Sequence, residues 1–175
     1  MVREKLMENM ASRVVIVADD SKLVRDLGTR TPIPVEIIPF ETEFIIKHIE
    51  NLPSMAGTRG VVRKGTRGTY ITDGSETARS ENNLVIVDFY GSKPLPDPAA
   101  AAADLDNTVG VVAHGLFCGQ ATTIMVAGTS PTEAMRIVGD GPNAEAPWWF
   151  DKPVSKRFLE RERVDNREPP SHSSV

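Results

Sequence analysis

The chain has 175 residues, 40% of them hydrophobic, which is enough to bury a core without covalent cross-links. Its one cysteine, Cys118, forms no internal disulfide, and no apolar run approaches the ~20 residues of a membrane-spanning helix, so disulfide scaffolds and helical membrane proteins are excluded. A net charge of −4 argues against a general nucleic-acid binder, and the charged opening MVREKLMENM lacks the apolar core of a signal peptide; a cytoplasmic protein with neither nucleic-acid nor membrane partners is expected.

Val2, Leu6 and Met10 recur every fourth position with Met7 beside them, which predicts a short helix burying one stripe. The run Val14 to Ala18 has no polar alternation and reads as a strand covered on both faces, the habit of a parallel sheet. Helical spacing resumes after it, up to Gly28. Asp19, Asp20, Ser21 and Lys22 lie just beyond the strand's carboxyl end, the edge where open α/β sheets bind ligands, so Lys22 is the first candidate for contact with an anionic substrate.

Thr29 to Pro34 reads as a linker, because its prolines cannot continue a helix, and a second domain starts there. Val35, Ile37 and Ile38 predict a strand ended by Pro39, and Phe44, Ile45, His48, Ile49 and Leu52 an amphipathic helix. A strand-like stretch follows from Arg59, interrupted by Gly65 and Gly68, then a long polar loop, then the strand Leu84 to Tyr90. Asp97 as N-cap and Pro98 at the first helical position precede five alanines, which predicts a helix. Thr108 to Phe117 and Thr122 to Ala127 are further strands. From Val35 onward the order strand, helix, strand, strand, helix, strand is the split βαβ pattern of a ferredoxin-like sandwich. Thr132 to Val138 suggests a short terminal helix, and residues 139–175 read as a mobile tail in which Trp148, Trp149 and Phe150 form the one apolar cluster.

Several residues have a bland reading beside a chemical one. His114 lies between Ala113 and Gly115 in a strand, where a packed histidine outweighs a metal ligand, and His48 and His172 add no ligand spacing. Cys118 reads as a buried thiol. Arg59, Arg63, Lys64 and Arg67 could meet phosphates, but without interleaved aromatics they read as a solvated hairpin. Glu4, taken alone, is an exposed helix carboxylate.

The segments REK (Arg3 to Lys5), IVADDSK ending at Lys22, PVEIIPF (Pro34 to Phe40), TD (Thr72-Asp73), IVDFY (Ile86 to Tyr90), VGVVAHGLF (Val109 to Phe117) and ATTIMVAG (Ala121 to Gly128) give the chain its family resemblance. In order and content it resembles the A-type ribose-5-phosphate isomerases. The resemblance implies an α/β fold: a remnant of a Rossmann-like domain (residues 1–33 and 121–138) with an inserted ferredoxin-like domain (34–120). It implies interconversion of ribose 5-phosphate and ribulose 5-phosphate through an enediolate, with Glu4 as the base, Lys22 facing the sugar phosphate, no metal or organic cofactor, and a homo-oligomer. The family's phosphate loop, aspartate pair and KGGG segment all precede the REK helix and have no counterpart here. A weak or inactive enzyme is therefore expected, with a non-catalytic association module or an incomplete gene model as the alternatives.

Overall fold

The computed structural model describes residues 1–28, 30–65, 76–127 and 136–140. Ile33, Val35 and Ile37 alternate along the strand β2 (Ile33–Ile37), each of them buried, and their face carries the main core. β2 pairs antiparallel with β4 (Val85–Gly91) on one side and β5 (Val111–His114) on the other, with β3 (Thr58–Val62) beyond β4. The sheet order is β3-β4-β2-β5, and the chain runs strand, helix, strand, strand, helix, strand, as the hydrophobic pattern predicts. The strand opens inside the predicted linker. Pro34 supplies no N–H, but its carbonyl accepts from Gly115 N–H at 2.8 Å, so the ladder continues past the proline.

Two helices close this core. In α2 (Thr42–Glu50), Ile45 and Ile49 stand one turn apart and are buried against Val35, Val87 and Phe89, whereas Phe44 faces out and stacks on His48. A fully buried isoleucine or phenylalanine contributes about 1.5–3 kcal/mol, so these contacts dominate local propensity. α2 crosses β3 closely: a Cβ on Gly60 would lie 2.7 Å from Ile46 Cγ2 and 2.9 Å from Phe89 Cε1. α3 (Pro98–Asp106) starts as expected, with Asp97 Oδ1 accepting from the N–H groups of Ala99 and Ala100 at 2.9 and 3.0 Å. Ala101, Ala102 and Leu105 face the core.

A second sheet, ordered β1-β6-β7, combines β1 (Val15–Asp19), parallel to β6 (Thr123–Ala127), with an antiparallel β7 (Arg136–Asp140). Over 136–138 a strand, β7, stands in place of the predicted helix, whose residues 132–135 lie outside the described residues, and it takes in the first residues of the predicted tail; Ile137 and Val138 are β-branched, a type that suits a strand. The rest of the tail, including Trp148, Trp149 and Phe150, lies outside the described residues, as do Thr72, Asp73 and Arg67.

Three expectations at this end of the molecule are overturned. β1 is not covered on both faces: Val15 is 44% and Val17 63% exposed. The helix expected after it is a single 3-10 turn, Asp20–Lys22, because Asp19 Oδ1 accepts the Ser21 N–H at 2.8 Å and offers the backbone a turn instead of a helical start. The helix α1 (Val2–Met10) forms, but it buries no residue; Leu6 and Met10 point outward, Met10 being 82% exposed, while Val2, Lys5 and Glu8 turn toward the body. Among the described residues no helix is long and apolar enough to cross a membrane.

Candidate active site

The inward face of α1 is polar because what it meets is polar. Glu36 projects from the middle of β2 on the face opposite Val35 and is almost wholly buried. Its Oε1 accepts from the Met1 amine at 2.8 Å, and the same amine lies 2.8 Å from Glu4 Oε2. Burial opposes the charge on that amine, but the hydrogen bonds to Glu36 and Glu4 outweigh it and raise its pKa above the ordinary value. The amine's hydrogen bond in turn holds the Glu4 carboxyl below the usual carboxylate range. Glu4 is therefore an ionised, exposed carboxylate. Glu36 Oε2 is buried without a hydrogen-bond partner among the described residues.

Glu4 and Glu36 border a cleft of about 220 Å³ between the start of α1 and the β3–β4 side of the larger sheet, with Arg63, Arg79 and Glu81 on its other wall. Arg63 is not a solvated hairpin cation as expected: its guanidinium binds Asp88 of β4 through both carboxylate oxygens, Nε to Oδ2 at 2.7 Å. The cleft thus mixes three carboxylates with three guanidinium groups, two of them already paired, Arg63 with Asp88 and Arg3 with Glu81, a setting suited to a polar and partly anionic ligand.

Lys22 ends the 3-10 turn after β1 and is exposed. It does not line the cleft beside Glu4, and no hydrogen bond or ion pair joins the two among the described residues. Cys118 is exposed rather than buried, yet burial of part of its surroundings still raises the thiol's pKa. On the other side of α1 the fold gathers His114, which the sequence marks as a packed histidine, with Lys5 and Asp106, which sequence reasoning did not single out. Lys5 Nζ lies 2.8 Å from His114 Nε2, and that same nitrogen is 2.9 Å from Asp106 Oδ1. His114 is fully buried, as a packed histidine should be, but it is engaged by charged neighbours. The signals available were the lysine of REK and the histidine of VVAHGLF, 109 residues apart, and no local pattern joins them.

A family model for ribose 5-phosphate isomerase A (phosphoriboisomerase A) matches residues 1–130. The chain belongs to that family. Ribose-5-phosphate isomerase A of Synechococcus sp. (strain JA-3-3Ab) is 39% identical over 137 residues, covering 78% of this chain and 54% of the relative. A probable chloroplastic ribose-5-phosphate isomerase 3 of Arabidopsis thaliana is 36% identical over 137 residues, covering 77% and 47%. Among solved structures, ribose 5-phosphate isomerase from Plasmodium falciparum superposes with a TM-score of 0.68 at 26% identity, over 79% of this chain and 55% of that one. The chain spans about half the length of the curated relatives it matches. The mixed α/β fold with one parallel and several antiparallel pairings agrees with these neighbours.

Proposed function

We propose that this chain carries part of the active site of a ribose-5-phosphate isomerase, acting on a sugar phosphate in the cytoplasm and interconverting ribose 5-phosphate and ribulose 5-phosphate. The observation that supports this most is the family match over residues 1–130, whose first helix sets an ionised Glu4 at the mouth of a polar cleft. An aldose–ketose shift needs a base that takes a proton from one carbon and returns it to the next, with polar groups to hold the enediolate oxygen between the two steps. Glu4 is the base in this reading. Lys22 meets the substrate's anionic end from the carboxyl edge of β1, in a Rossmann-like part formed by residues 1–33 and 121–138. Residues 34–120, with sheet order β3-β4-β2-β5, form a ferredoxin-like small domain, and the functional unit is a homo-oligomer.

The relatives owe about half of their length to a part this chain does not span, so the chain alone is expected to turn over slowly. Missing oxyanion donors commonly cost ~10²–10³ in rate, and lost phosphate positioning adds to that. The test is an assay with ribose 5-phosphate of the 175-residue chain alone, then mixed with the portion of the Synechococcus relative outside the match. Low turnover alone, a rise on mixing, and loss of that rise in Glu4→Gln support the proposal. An unchanged rate in Glu4→Gln overturns the role of Glu4, and a rate alone equal to that of the intact relative overturns the expected weakness.

A further inference from the structure

α1 lies on the body without an apolar anchor, since none of its residues is buried. Its ties are polar. Arg3 meets Glu81 at 2.8 Å, but both side chains are exposed, and such a pair holds weakly. Lys5 reaches the most enclosed partner. Its Nζ lies 2.8 Å from Nε2 and 3.3 Å from Nδ1 of His114, and 3.8 Å from Asp106 Oδ1. Contact with both ring nitrogens at once puts the ammonium over the plane of the imidazole, along neither lone pair.

The ring's protonation follows from its other neighbours. Leu116 N–H donates to Nδ1 at 3.2 Å, so Nδ1 keeps its lone pair and the proton sits on Nε2, which donates to Asp106 Oδ1 at 2.9 Å. A neutral imidazole in that tautomer offers the ammonium an electron-rich face. An imidazolium would set two cations 2.8 Å apart and would turn an N–H against the Leu116 N–H. The charged and titratable groups around the pair are Glu8 of α1, Asp106 at the end of α3, and the Cys118 thiol after β5. Burial, then the Lys5 charge, lowers the His114 pKa, which agrees with the neutral ring.

We propose that His114 is a positioning residue for Glu4: its neutral ring, oriented by Asp106, seats the Lys5 ammonium and so fixes the helix on which Glu4 is the preceding residue. The consequence for catalysis rests on the reading of Glu4 as the base; the seating itself does not. Protonation of His114 expels Lys5 and loosens α1 beyond its first residue, which the Met1 amine still ties to Glu36, and the Glu4 carboxylate shifts with the helix.

Amide hydrogen exchange followed by NMR on the full 175-residue chain, across roughly pH 5 to 8, tests this. In the unsubstituted chain, α1 protection should fall roughly tenfold as the imidazole protonates, with β4 amides unchanged. Lys5→Met should lose that protection at every pH. His114→Gln, which keeps an N–H for Asp106 and cannot titrate, should remove the pH dependence. Imidazole 15N shifts should place the neutral ring's proton on Nε2. A proton on Nδ1, α1 protection unchanged in Lys5→Met, or an acid response that survives in His114→Gln would each overturn the proposal. Lys5→Met alters a partly exposed side chain and keeps the test decisive if His114→Gln fails to fold. Because exchange does not depend on turnover, a null result for Glu4→Gln in the isomerase assay leaves this outcome separate.

Discussion

His114 has no exposed surface and keeps a neutral ring between an ammonium and a carboxylate, which ties the molecule's stability to pH. The sign follows from linkage. With a folded-state pKa below the ordinary imidazole value of about 6.5, the unfolded chain binds more protons as pH falls through that range, so stability is lost on acidification. The contribution is fully present above the unfolded value and declines as pH falls through it toward the folded one. Urea unfolding measured through that window should show a steeper loss in the unsubstituted chain than in His114→Gln; equal slopes would count against a buried neutral histidine. At this scale the sequence was informative where one residue acts on its own neighbours, as with Asp97, whose carboxylate caps the helix that Pro98 opens. It was silent on Lys5, because the value of that side chain lies in a partner 109 positions away. Lys5 also explains why the apolar stripe of α1 misled: Val2, Leu6 and Met10 have helical spacing, yet the surface beneath the helix offers His114 and Asp106, so the side that carries Lys5 turns inward.

Among the elements, helices α2 and α3 are held by different means and should respond differently to substitution. Ile49 is fully buried among Val35, Val87 and Phe89, so Ile49→Ala leaves a cavity in the centre of the core and should cost about 2–5 kcal/mol. Asp97 acts at the surface by satisfying two free N–H groups of α3, and Asp97→Ala should cost about 1 kcal/mol. Chemical denaturation of both variants checks the ranking, and an Asp97→Ala loss equal to that of Ile49→Ala would contradict it. Both helices were legible because their signals are local: apolar residues one turn apart in α2, an acidic cap followed by proline in α3. The four strands of the larger sheet were legible through runs such as Val85 to Phe89, although the start of β2 was obscured by Pro34. The segment after β1 was not, because the Asp19 side chain competes for the backbone that a helix would need. β7 was missed because its pairing is with β6, a contact that its own residues do not announce.

At the scale of the whole molecule, the two sheets differ in how completely they are covered. The larger one has α2 and α3 over its core face, whereas β1 exposes Val15 and Val17, has one edge unpaired among the described residues, and lies in a chain whose first helix also points Leu6, Met7 and Met10 outward. The unbroken apolar run of β1 correctly implied a strand but not its surroundings, because the cover expected on both faces is not supplied by the described residues. An open strand edge that carries exposed apolar side chains favours pairing with another chain. The 175-residue chain should therefore self-associate as its concentration rises, and Val17→Lys, which puts a charge on that strand, should shift it toward monomer without lowering the stability of the larger sheet. Light scattering across a concentration series checks both. Suppression of association by the portion of the relative outside the match would assign the same surface to the remainder of the isomerase fold. A monomer at all concentrations, indifferent to Val17→Lys, would show that the exposed strand is no docking surface.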